Sequence, residues 1–190
     1  MKCRVFLVFI VFQVPTVDVS TEHIKWAEYP YLSVIMTGRN DDWGGNFTER
    51  LRMSLMSLTR NIELSTIGLE IVVVDYNPPK FSTPLWAVVD DIAGRAFRGC
   101  SVVVATVPAE VHAALRFRPK WSPYEAQLFE YVAKNTGLRL ASGRFALVTN
   151  PDIIFGIEIL SFLAAASLSD IAYYILPRSN LNSLPPKQIA

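Results

Sequence analysis

Leu69-Glu70-Ile71-Val72-Val73-Val74-Asp75 is a run of branched apolar residues that ends on a carboxylate and is stopped by Tyr76-Asn77-Pro78-Pro79. A strand covered on both faces reads this way, because neither side of it is left for polar alternates. Leu32 to Thr37, Ser101 to Val107 and Phe145 to Thr149 have the same character, and Ala172 to Leu176 is expected as a fifth strand. Helical stretches separate them. One is expected from about Phe47 to Asn61, with Asn46 as its N-cap and Leu51, Leu55 and Leu58 on one face. Another, which Thr83 can cap, starts with Pro84 at its first turn and runs towards Phe97. Ser122, Pro123 and Glu125 form a capping signature for a helix to about Asn135, and a last helix is expected near Ile157 to Leu168. Strands of this kind alternating with helices imply an α/β protein whose mostly parallel sheet has helices on both faces.

The chain of 190 residues suits one such domain, and its 51% hydrophobic content excludes a disordered protein. Eighteen Lys and Arg against 17 Asp and Glu leave a net charge of +1, with no basic run, so no field exists to hold a nucleic acid. Part of the positive mean hydropathy of +0.28 comes from the amino terminus. There Lys2 and Arg4 precede the apolar run from Val5 to Phe12, and Pro15 follows. Residues 1–20 therefore read as a signal peptide or short membrane anchor, too short to span comfortably, the alternative being a buried first strand. On that reading the chain enters the secretory pathway, in the Golgi or endoplasmic reticulum lumen or as a secreted protein, and touches membrane only through this segment. Cys100 is then the sole cysteine of a processed chain, and Asn46-Phe47-Thr48 is a glycosylation sequon. The domain proper is expected over residues 30–177, and 178–190 as a loop or truncated tail.

Ligands of open α/β sheets bind outside the carboxyl ends of the strands. That rule selects Thr37 to Asp42, Asp75 to Asn77 and Thr149 to Asp152. In the first loop Gly38 admits a ligand close to the backbone, Arg39 offers a planar fork to phosphate, and the helix amino terminus beyond favours an anion. The plain alternative is a polar glycine-bearing loop. Asp75 is placed to accept a hydrogen bond from a base or ribose, or equally to cap the next turn. Asp152 offers one hard oxygen ligand for Mg or Mn, and Asn150 a neutral oxygen. His23 and His112 lack partners at metal spacing and read as structural, and Arg139 and Arg144 as solvated surface. There is no G-x-S-x-G elbow, dinucleotide fingerprint or P-loop.

In order and spacing, three segments resemble the nucleotide-sugar-binding half of a family 2-like glycosyltransferase with the GT-A fold. They are Ser33-Val34-Ile35-Met36-Thr37-Gly38-Arg39-Asn40-Asp41, Glu70-Ile71-Val72-Val73-Val74-Asp75, and Asn135-x-Gly137-x-Arg139-x-Ala141-x-Gly143 leading into Phe145 to Asp152. The resemblance implies a Rossmann-like sheet of the nucleotide-diphospho-sugar transferase type, binding a nucleotide-diphosphate sugar for glycosyl transfer. It implies that Asp75 meets the nucleobase, that Thr37, Gly38, Arg39, Asn40 and Asn150 line the nucleotide-sugar pocket, and that Asp152 holds a divalent cation, Mg or Mn, on the diphosphate. Asn150 stands where the family's metal motif usually has its first aspartate. The family's acceptor-binding half, which supplies the catalytic base, usually follows the metal motif, whereas this chain ends soon after Tyr173 to Arg178, so it is expected to be incomplete. No residue is assigned as base. The alternatives are a catalytically inactive relic or interaction module, and another Rossmann-like nucleotide binder.

Overall fold

The computed structural model describes residues 6–9, 30–41, 43–59, 67–96, 100–115 and 126–177. Their elements run β1 (Phe6–Phe9), β2 (Leu32–Gly38), α1 (Phe47–Thr59), β3 (Leu69–Tyr76), α2 (Leu85–Ala96), β4 (Cys100–Val107), α3 (Ala109–Leu115), α4 (Glu130–Leu140), β5 (Phe145–Thr149), α5 (Ile157–Ala164) and β6 (Tyr174–Pro177). Four strands form a parallel sheet in the order β4-β3-β2-β5. Each parallel neighbour must be reached by a crossover, and the helices fill those crossovers.

The alternation of strand side chains sorts the core into two layers. Leu32, Val34 and Met36 of β2, Leu69, Ile71 and Val73 of β3, and Phe145 and Leu147 of β5 face one side. There they pack on Leu51, Leu55 and Leu58 of α1, Leu85, Val88, Val89 and Ile92 of α2, and Leu160 and Leu163 of α5. Ile35, Val72, Val74, Tyr76, Ala146 and Val148 face the other side, against Ala133 and its neighbours on α4. Both faces are covered, as the unbroken apolar runs require, and the α/β class with helices on both faces is observed.

Three sequence expectations are corrected. The stretch read as a fifth strand does not join the parallel sheet: β6 pairs antiparallel with β1, with Phe6 opposite Pro177 and Phe9 opposite Tyr174. Residues 6–9 are part of the apolar segment read above as a targeting signal. The helix expected to start after Ser122 starts at Glu130, after Phe129, which makes no side-chain cap. Ser122, Pro123 and Glu125 themselves lie outside the described residues. This helix also runs five residues past Asn135 to Leu140. It can, because Gly137 rests directly on the sheet: a Cβ there would lie 2.4 Å from Ile35 Cγ2 and 3.3 Å from a Val74 methyl. The last helix is shorter than expected, ending at Ala164, and Ala166 beyond it has a left-handed φ of 49°.

The amino ends of the strands are joined by a polar network centred on a buried carboxylate. Glu70, 5% exposed, accepts hydrogen bonds from Ser33 Oγ (2.5 Å), Ser142 N (2.8 Å) and Ser142 Oγ (2.7 Å), while Gly143 N donates to Ser33 Oγ (2.8 Å). Every partner in this knot is satisfied, as a buried carboxylate requires. Among the described residues no helix is long and apolar enough to cross a membrane.

Candidate functional site

The strand order reverses between β3-β2 and β5, the second neighbour of β2, so the carboxyl ends of β2 and β5 flank a topological switch point. Among the described residues, three buried side-chain atoms without a hydrogen-bond partner lie at this edge of the sheet: Asp75 Oδ1, Thr149 Oγ1 and Asp152 Oδ1. Asp75 stands beside Gly38 in the β2-β3 register and Thr149 beside Met36 in the β2-β5 register. Strand alternation places Asp75 and Thr149 on the α1-α2 face, since Val73 and Leu147 two residues earlier belong to that layer. A buried polar atom left unpaired costs roughly 1–3 kcal/mol, so three at one edge demand a reason.

Asp75 is fully buried, and its Oδ2 accepts the backbone N–H of Leu85 at 2.9 Å. This is not the cap of the next turn that the plainer sequence reading offered: the carboxylate reaches past that turn and caps α2 at the residue where the helix begins. The second oxygen is left over. Burial pushes the Asp75 carboxyl above the usual carboxylate range, against the smaller opposing pulls of the Leu85 amide and the Arg39 charge. Thr83 does not serve as the side-chain cap expected for α2; its carbonyl instead accepts Asn40 Nδ2 at 2.8 Å.

That bond is one of several pinning the loop after β2. Arg39 Nε donates to Asn77 O at 2.6 Å, and Arg39 Nη1 reaches Asp41 at 2.6 Å. Arg39 therefore spends part of its fork on protein acceptors. Asn77 itself bridges on, its N–H to Val107 O at 2.7 Å and its amide to Gln127 O at 2.9 Å, from a left-handed φ of 46°. The loop then turns into α1 through Gly44, Gly45 and Asn46, all at positive φ (78°, 76° and 51°), a path that glycine and asparagine tolerate best. Arg50, in the first turn of α1, reaches back to close it: Nε donates to Gly45 O at 2.9 Å and Nη2 to Trp43 O. Its Nη1 lies 3.2 Å from Asp152 Oδ2, joining the loop to the segment after β5.

Thr37 is buried in β2, but its alternation sets it on the α4 face with Ile35, opposite Asp75. Gly38 lies next to Asp75 and is required by packing, since a Cβ there would fall 2.5 Å from the Phe47 ring. Asn150 is half-buried directly after Thr149. His112 is buried against Tyr76, Nδ1 3.2 Å from the phenol oxygen, the structural role expected of it. Arg144 pairs with Asp170 at 2.5 Å and Arg139 is exposed. His23 lies outside the described residues. Arg50 was not singled out in the sequence, where it reads as a surface helix arginine, and Thr149 was selected there only as the start of the segment after the fourth strand, with no role given to its hydroxyl.

The donors around Asp152 do not fit a resident divalent cation. One oxygen is ion-paired with Arg50, the other is sealed from solvent, and among the described residues no three His, Cys, Asp or Glu side chains converge. Such an ion needs several oxygen ligands in its own shell, and a guanidinium on the same carboxylate opposes it in charge and in space. Comparison with family models, with curated proteins and with solved structures finds no match for this chain. The functional reading therefore stands on the residues and their arrangement.

Proposed function

We propose that the domain binds a nucleotide-diphosphate sugar at the carboxyl edge of its sheet, in the manner of the GT-A glycosyltransferases its sequence resembles. The observation that carries this reading is the gathering of three unpartnered buried polar atoms, Asp75 Oδ1, Thr149 Oγ1 and Asp152 Oδ1, at the switch-point edge. An ionised Asp75 accepts an N–H from a nucleobase edge through the oxygen that Leu85 leaves open. Arg39, Asn40 and the amino terminus of α1 supply donors and positive potential for the diphosphate. Asn150 and Thr149 lie on the β5 side of the same edge. The three atoms are sealed from solvent, so uptake of the ligand includes an opening of the loop that Arg39, Asn40 and Arg50 hold down. Delivery to the secretory pathway through the apolar amino-terminal segment belongs to the same proposal.

Calorimetry with a panel of uridine, guanosine and thymidine diphosphate sugars tests the binding step. We expect dissociation constants between about 1 μM and 1 mM, the usual range for substrates, and weakening by Asp75→Asn in a variant that still folds. A flat response across the whole panel with folded protein sinks the proposal.

A second reading, a domain that keeps the sheet and turns nothing over, is favoured by Asn150 and by the Arg50–Asp152 pair. Donor hydrolysis or sugar transfer by the wild-type chain, lost in Asp152→Ala, excludes it.

A further inference from the structure

We infer that Arg50 is the fixed cation of this site, standing on Asp152 where a metal ion would otherwise stand, so that a nucleoside diphosphate is bound here without a divalent cation. The inference rests on the nucleotide reading above and concerns how the same site meets the charge of its ligand.

Arg50 is held from several sides. Its Nε and Nη2 donate to the carbonyls of Gly45 and Trp43, its Nη1 lies 3.2 Å from Asp152 Oδ2, and its guanidinium carbon stands 5.8 Å from the centre of the Phe47 ring. It grows from the first turn of α1, a helix of 13 residues whose amino end already favours an anion. One side chain therefore does two things a bound metal would do. It bridges the loop after β2 to the carboxylate after β5, and it brings a positive charge to the edge where the unpartnered acceptors lie. A guanidinium suits phosphate oxygens through its planar fork and stays protonated at any working pH. A divalent cation could reach Asp152 only by displacing it.

The test needs no turnover. Manganese is titrated into the full chain and followed by the loss of the free-ion electron paramagnetic resonance signal. Binding of UDP and GDP is measured by calorimetry in magnesium and again in EDTA. We expect wild type to take up no manganese at Asp152 and its nucleotide affinity to differ by less than about twofold between the two buffers. Arg50→Ala is expected to gain a manganese site that a second change, Asp152→Asn, removes, and its nucleotide binding in EDTA to fall by about tenfold or more, the scale of a lost charge-assisted contact. Arg50→Lys, which keeps the charge and is less prone to loosen the loop, should stay metal-independent; circular dichroism melts confirm that each variant folds.

Stoichiometric manganese uptake by wild type that Asp152→Asn abolishes overturns the inference. So does nucleotide binding that disappears in EDTA and returns with magnesium. If neither UDP nor GDP binds in either buffer, the nucleotide reading fails, and the manganese titration alone still decides whether Arg50 holds the cation's place.

Discussion

The two oxygens of Asp75 have different fates, and the difference makes this residue sensitive to pH. Oδ2 is bonded to the Leu85 amide, Oδ1 is buried without a partner, and burial raises the carboxyl above its ordinary value. The folded state then holds this proton more tightly than the unfolded chain. The stabilisation is therefore full below the ordinary carboxylate pKa and is lost as pH climbs through the raised one. Asparagine keeps an acceptor for Leu85 and never carries the charge. Asp75→Asn should accordingly melt at a higher temperature than wild type at about pH 7, with the difference shrinking towards about pH 4, where the aspartate is itself neutral. Paired melts across that range check it; a variant that melts lower at neutral pH would show that the charge stabilises the fold. Such a gain in stability alongside weaker nucleotide binding is the pattern of a residue kept for a ligand.

At the scale of elements, the joints decide more than the helices and strands do. The turn from α4 into β5 is held over β2 by Glu70, which accepts both the N–H and the hydroxyl of Ser142 and the hydroxyl of Ser33. Gly143 closes the joint, because a Cβ there would lie 2.7 Å from Ser33 N. Glu70→Gln turns one acceptor of this buried knot into a donor facing other donors. We expect a loss of about 1–3 kcal/mol in denaturant unfolding; a change within about 0.5 kcal/mol, the range of an ordinary surface substitution, would contradict the role given to the knot. In the sequence Glu70 looks like a lone polar residue near the start of a buried strand, and Gly137 and Gly143 look like a spaced pattern. Glu70 meets Ser142 from 72 positions away, Gly143 meets Ser33 from 110 positions away, and Gly137 rests on Ile35 of β2 and Val74 of β3. No local period carries such information.

At the scale of the molecule, among the described residues, β2 and β3 each have a strand on both sides, whereas β4 and β5 each have one neighbour in the parallel sheet. Val34, Ile35, Ile71, Val72 and Val74 are 0% exposed, while β4 is only partly covered along most of its length. Native-state hydrogen exchange should be slowest at the amides of Val34 to Met36 and Ile71 to Val74 and faster along β4, because local opening is cheapest where the fewest buried contacts break. Equal protection of β4 and β3 would show that β4 is not an edge in solution.

What the sequence determined by itself was the α/β class, and with it the edge of the sheet at which a ligand site is to be sought. Doubly apolar strands must be covered on both sides, so four of them separated by helices specify a parallel sheet, and chain order alone then selects the loops at its carboxyl edge. It brought Asp75, Arg39, Asn40, Asn150 and Asp152 to attention for that reason. Only the tertiary structure decided which oxygen of Asp75 is occupied, that Thr37 faces away from it, that β6 leaves the sheet for β1, and that Arg50 lies on Asp152. Those facts depend on which distant groups meet across the packed core, and a hydrogen bond between positions 102 residues apart leaves no trace in the pattern around either one.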